Sequence, residues 1–256
     1  MFLGSLLNRK WILTTILVFA AVVVMIRLGL WQLDRLEQRR TFNARVTAQR
    51  ENAKLKLTPD SMNQDLYEME YRALEVTGEY AHSQEVALSN QVWNGMLGVH
   101  LLTPMKIKGT ETYVLIDRGW IPQEDYSPDD WSIYQVPGQI TVEGVMRRPQ
   151  SESTFGGIPD PTLAPGQTRL AYWKIVNLAR IQAESGLSML PIYIKLTPKG
   201  EQTNPPLISE FDLELKEGPH MGYALQWFAF AAIMVIGYPV YVRAQSLAEE
   251  TESFNK

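Results

Sequence analysis

Two long apolar runs bracket a middle in which hydrophobic and polar residues alternate. The first run extends from Trp11 to Trp31 and contains a single charge, Arg27. Trp11 and Trp31 stand about 20 residues apart, roughly 30 Å along a helix, so each falls at one water interface of a bilayer. The second run, Gly218 to Val242, has no acid, lysine or arginine between His220 and Arg243. That gap of about 23 residues gives roughly 34 Å of helix, enough to cross a hydrocarbon core of about 30 Å. Backbone groups inside lipid must bond internally, so each run predicts a membrane-spanning helix.

Helix-favouring sequence follows the first run without a break, from Trp31-Gln-Leu-Asp-Arg35 to Leu57, where Thr58-Pro59-Asp60 predicts a stop. A cleaved signal peptide is the rival reading. The run is long for a signal core and no small-x-small site follows it, so an uncleaved anchor is expected. The middle then alternates with period two at 71–80, which predicts a half-buried strand. Further strands are predicted at 85–89, 98–103, 112–117, 138–147 and 190–195, with turn-rich Asn90–Gly95 between the second and third. Pro149 to Gly166 reads as loop, and Tyr172 to Ser185 as a helix stopped by Gly186. Short strands with glycine turns suggest an antiparallel sheet or small barrel. The predicted class is an α+β membrane protein: a two-helix transmembrane hairpin enclosing a mainly antiparallel β domain with one or two helices. Its segments are a tail at 1–10, a span at 11–31, a helical extension at 32–57, the β-rich domain at 58–217, a span at 218–242 and a tail at 243–256.

Composition alters this picture little. The 256 residues carry a net charge of −4, with no basic excess to suggest nucleic acid. The mean hydropathy of −0.15 averages two apolar segments with a polar middle, so it conceals the spans. The absence of cysteine excludes disulfides, thiolate metal sites and cysteine nucleophiles.

Candidate chemistry concentrates at the start of the second span. Helical spacing from His220 puts Tyr223, Ala224, Trp227 and Ala231 on one face. A histidine above an aromatic and small-residue stripe can hold a flat cofactor, or it can be an ordinary interfacial anchor. Arg27, Trp31 and Arg35 recur at i, i+4 and i+8 and share a face of the first helix. An intramembrane arginine is a functional candidate, and snorkelling to the headgroups is its alternative. His100 reads as a packed histidine, with a second ligand or a base as the alternative, and His82 as an exposed turn residue. Asp117 and Arg118 point to opposite faces of a strand and need not pair. The three histidines have no zinc or copper spacing, and no nucleophile elbow or phosphate loop is present, so nothing demands enzyme chemistry.

Five stretches together carry a resemblance. They are Gly29-Leu-Trp-Gln-Leu-Asp-Arg35; Gly95, Gly98, His100 and Thr103-Pro104; Leu115-Ile-Asp-Arg-Gly-Trp-Ile-Pro122; Val142-Glu-Gly-Val-Met-Arg-Arg-Pro149; and His220-Met-Gly-Tyr-Ala-Leu-Gln-Trp-Phe228. In this order they resemble the surfeit locus protein 1 family of cytochrome c oxidase assembly factors, from Trp11 to Val242. The resemblance implies a membrane hairpin with an extracytoplasmic domain and cytoplasmic tails. It also implies help in building the haem a-containing core subunit of the oxidase. It further implies that His220 is the axial ligand of a transiently bound haem a, with Tyr223 and Trp227 as its walls. The chain departs from the family at Gly218-Pro219, where asparagines are common. The expected partners are membrane lipid, haem a synthase and oxidase subunit I. The short leading tail favours a bacterial plasma membrane over a mitochondrial one. On this reading the face of Arg27, Trp31 and Arg35 meets the His220 end of the second span and binds haem propionates. A scaffold that never touches haem, and a membrane-tethered hydrolase using His100 or Asp117, are the alternatives.

Overall fold

The computed structural model describes residues 9–125, 127–152, 157–210 and 213–254. The chain divides into a unit made of residues 1–45 with 214–256, and a second unit made of residues 46–213.

The first unit is a helical hairpin. Helix α1 (Ile12–Glu51) is about 60 Å long at 1.5 Å per residue, and its apolar part is its first half. It ends at Glu51 rather than at Leu57 as predicted. Leu55–Leu57 instead form a short strand, because burying Leu57 in the β core outweighs another turn of exposed helix. The second long helix (His220–Phe254, α3 below) starts two residues after the predicted Gly218, which stands at φ 74° outside it. It continues past Val242, so residues 243–254 of the expected tail are helical. Both helices are long and apolar enough to cross a membrane. Their outward faces leave Leu13, Phe19, Leu225 and Ile236 exposed.

On α1 the burial recurs with a heptad period. Val22, Gly29 and Leu36 are buried, with half-buried Met25 and Gln32 between them and half-buried Thr15 and Val18 before them. On the partner helix Ala224, Ala231 and Val242 play the same part. Such a seam is the signature of two helices packed side by side at a small crossing angle. Gly29 makes the close approach possible, since a Cβ there would lie 2.6 Å from a ring carbon of Phe228. At one end Thr15 and Tyr238 hydroxyls bond at 2.7 Å and Trp11 packs edge-on to Tyr241. At the other end the Arg40 guanidinium grips Glu217 with two bonds of 2.9 and 3.0 Å.

The second unit is built on a barrel. Its strands are β1 (Leu55–Leu57), β2 (Ala73–Tyr80), β3 (Val86–Trp93), β4 (Met96–Ile107), β5 (Tyr113–Pro122), β6 (Gln139–Arg147), β7 (Tyr172–Trp173) and β8 (Met189–Leu196). Helix α2 (Leu178–Ser185) lies between β7 and β8, and helix α3 (His220–Phe254) belongs to the hairpin. Strand β2 pairs with β6 along one edge, and through Gly78–Tyr80 with β4 along the other. The pairs β4–β5, β5–β8 and β8–β6 complete the ring. The ring order β2-β4-β5-β8-β6, with β5 and β8 parallel and all other ring pairs antiparallel, is the connectivity of an OB-type barrel. Leu74, Val76, Met105, Ile116, Val142 and Ile194 fill it. A second apolar layer, including Val86, Leu115, Trp173 and Ile181, seats α2 against the outside of the sheet. Strand β5 is therefore covered on both faces, and eight of its residues in succession are buried.

Two local expectations are corrected. Asn90–Gln91 is not a turn: β3 runs on to Trp93, a bulge beyond Leu88 absorbs Asn90 at φ 61°, and only Asn94-Gly95 turn the chain. The predicted helix from Tyr172 begins only at Leu178, where the Asn177 side chain accepts the Arg180 N–H. Tyr172–Trp173 pair instead with Ala87–Leu88 as a strand, which places Trp173 in the outer core. Gly186 ends the helix in the left-handed region, as its position predicts. Residues 153–156 of the predicted loop lie outside the described residues. Its described part forms neither helix nor strand.

Candidate functional site

His220 stands at the first turn of α3, on the hairpin seam, half-buried. Gly218 at φ 74° and Pro219 lead into the helix, and the Tyr223 N–H closes its first turn onto the Pro219 carbonyl. The imidazole Nδ1 lies 2.8 Å from Gln32 Oε1 on α1. An amide oxygen only accepts, so Nδ1 is the donor in this contact. A Cβ on Gly218 would lie 3.4 Å from Nε2, in ordinary contact with this edge of the ring, and the φ of 74° is the conformation that favours glycine here. Metal-ligating histidines commonly tie one ring nitrogen to an acceptor in the same way.

The structure distributes the predicted site residues unevenly. Trp227 lies on the seam below His220 and packs edge-on to Phe230 at 6.3 Å. Tyr223 sits at the seam's flank, 47% exposed. Ala224 and Ala231 do not form an open slot: they are buried in the seam. The arginine face is not brought to His220. At about 100° per residue, the phase set by Val22, Gly29 and Leu36 turns Arg27 almost opposite the seam and Arg35 only to its flank. Arg27 is exposed, Trp31 is 48% exposed, and the Arg35 guanidinium lies 5.5 Å from the Trp31 ring. Gln32 was missed because a glutamine in an arginine-rich stretch reads as solvated. The seven-residue step from Gly29 to Leu36, with Gln32 on the same side, is the signal that marks it. Outside the spans, hydrogen bonding to Arg40 lowers the Glu217 carboxyl below its ordinary range, and Glu217 raises the Arg40 guanidinium.

The β domain has its own buried polar groups. His100 on β4 is 9% exposed, and its Nδ1 donates to Asp117 on β5 at 2.9 Å. Asp117 also accepts the Gly119 N–H at 3.1 Å, where Arg118 forms a bulge and Gly119 takes φ 110°. Arg118 points the other way. It donates to Glu85 at 2.8 Å and lies 4.9 Å from the Tyr80 ring, while Thr103 donates to the same Glu85. Asp117 and Arg118 thus serve different partners, as strand geometry predicts. His82 is not the exposed turn residue expected. Its Nε2 accepts the Val136 N–H at 3.1 Å and its Nδ1 lies 3.5 Å from Glu85. His100 ties β4 to β5, and His82 ties the turn before β3 to the backbone at Val136. Among the described residues, no group of three or more histidine, aspartate or glutamate side chains could hold a metal ion.

The model of the SURF1 family matches residues 19–232. The chain belongs to the SURF1 family. The matched region starts within α1 and ends within α3, so Gln32, the barrel and His220 all fall inside it. A SURF1-like protein of Monosiga brevicollis is 29% identical over 82% of this chain and 80% of its own length. A SURF1-like protein of the bacterium Rickettsia conorii is 25% identical over 90% and 91%. The cytochrome oxidase assembly protein SHY1 of Saccharomyces cerevisiae is 32% identical over 47% of this chain and 31% of its own length.

Proposed function

We propose that this SURF1 protein is a non-catalytic biogenesis factor for cytochrome c oxidase. It takes haem a from its synthase, holds it transiently and hands it to oxidase subunit I. The likeness to a yeast protein named for oxidase assembly supports the pathway. The rickettsial relative, matched over nearly its whole length, supports a bacterial plasma membrane, with both helices crossing and the β domain outside.

The observation that carries the haem reading is the 2.8 Å contact that ties His220 Nδ1 to Gln32 and leaves Nε2 for a ligand. Imidazole nitrogen is a standard axial ligand of haem iron. The buried alanine seam leaves no room between the helices, so a haem held by His220 would have to sit at the mouth of the hairpin. Tyr223 flanks that mouth, whereas Trp31 and Arg35 turn away from the seam with Arg27, so the propionates of a haem held there would be left to water. Arg27 faces the lipid side, and we read it as snorkelling. A half-buried site with a single histidine ligand would hold its cargo weakly, which suits a carrier.

The rival is a scaffold that never binds haem. The deciding measurement is the absorption spectrum of the full chain purified from cells making haem a, beside His220→Ala. A haem spectrum in the parent and its loss in the variant are expected. A colourless parent would leave the scaffold.

A further inference from the structure

We infer that Gln32 is the positioning residue for His220: it fixes the imidazole in the Nδ1–H form and aims Nε2 away from the seam for a metal. The ligand half of this rests on the proposed haem reading; the tautomer half does not.

Three observations carry it. First, the 2.8 Å contact joins Nδ1 to the amide oxygen, which has no proton to give. A free imidazole shuttles its proton between two nitrogens, and an acceptor on one side removes the choice. Second, Gln32 is itself held. It sits on the heptad seam between buried Gly29 and Leu36, in the tight approach that Gly29 allows against Phe228. A side chain on that seam has few rotamers, so the acceptor stays where the ring needs it. Third, the acceptor is neutral. Metal-bound histidines often donate to a carboxylate, which raises the basicity of the ligating nitrogen. Glutamine orients the ring without adding negative charge. The iron–nitrogen bond is then well aimed and still easily broken, as a carrier requires.

The test uses the full chain in detergent, with histidine labelled by ¹⁵N. His220→Ala assigns the His220 signals against those of His82 and His100. Without any haem, parental His220 shows Nδ1–H and an unprotonated Nε2, and Gln32→Leu abolishes that preference. Iron protoporphyrin IX is then titrated. Gln32→Leu weakens binding about 10- to 100-fold, in the range of lost outer partners of metal-bound histidines. Gln32→Glu restores or tightens binding and moves the haem midpoint potential to more negative values. A parental His220 protonated on Nε2, or a tautomer that Gln32→Leu leaves unchanged, overturns the inference. Equal affinities and potentials in all three proteins overturn its ligand half. A parent that binds no porphyrin removes the haem reading instead, and leaves the tautomer result to decide the role of Gln32.

Discussion

At the scale of single residues, the β domain stakes its stability on a few buried charges. Glu85 and Arg118 are 3% and 5% exposed at their side chains and are paired at 2.8 Å. Removing one member leaves the other buried without its counter-charge, which costs about 3–5 kcal/mol. Arg118→Met is therefore expected to lower the thermal midpoint of the domain sharply. Adding Glu85→Gln to it should recover part of the loss, because the stranded charge is gone; a further fall would contradict this account. Two tyrosines set the alkaline limit. Burial pushes the Tyr80 phenol up to about 12, partly offset by Arg118. Tyr193 rises to about 12 for the same reason, with Arg147 opposing. Both are neutral below pH 10 in folded and unfolded chains alike. Above that the unfolded chain ionises first, so stability falls between pH 10 and about 12. A shift of about two units is worth about 2–3 kcal/mol for each group. Replacing both by phenylalanine is expected to flatten the unfolding midpoint over this range, while the parent declines.

At the scale of elements, packing decides what pattern alone leaves open. The apolar runs and the period-two strands were legible because a hydrophobic residue must face something apolar wherever the chain goes. Hence Leu74 and Val76 lie inside the barrel, and the second span starts at His220. Partner-dependent choices were not legible. Residues 52–57 read as helix because nothing local says that Leu55–Leu57 has Leu74–Val76 waiting beside it. Tyr172–Trp173 read as helix because strand partners lie 85 positions away at Ala87–Leu88. The site shows the same division. His220 was visible as a lone ionisable group at the mouth of an apolar run. Gln32 was hidden because only the phase of the seam turns it inward. Gly29 fixes that phase. Gly29→Val places branched carbons where the Phe228 ring sits and should destabilise the hairpin to heat in detergent. Phe228→Ala added to it should restore much of the loss, since the two changes are coupled through one contact. If the two effects simply add, the seam does not depend on that contact.

At the scale of the whole molecule, the open issue for function is which side of the membrane receives the β domain. Two crossings put both tails together. Local charge argues for tails outside, since four arginines, Arg27, Arg35, Arg39 and Arg40, lie at or just after the far end of the first span while three charges, Arg9, Lys10 and Arg243, flank the tail side. That count carries little force, because long domains translocate largely regardless of charge. The 168 residues of the β unit are such a domain. Nor are those arginines simply free charges: Arg40 is matched by Glu217 through two bonds, and Arg35 lies over Trp31. We therefore expect the β domain outside and His220 at the outer interface. The chain has no cysteine, which makes the measurement direct. Single cysteines at Asn94, the exposed turn of the β3–β4 hairpin, and at Ser246, near the end of α3, are treated in intact bacterial cells with a membrane-impermeant maleimide. Labelling at Asn94→Cys but not at Ser246→Cys until the membrane is opened is the expected result. The reverse pattern would place His220 at the cytoplasmic face and remove the proposed outer-interface haem site. Labelling at both would mean that the two apolar helices do not cross as a pair.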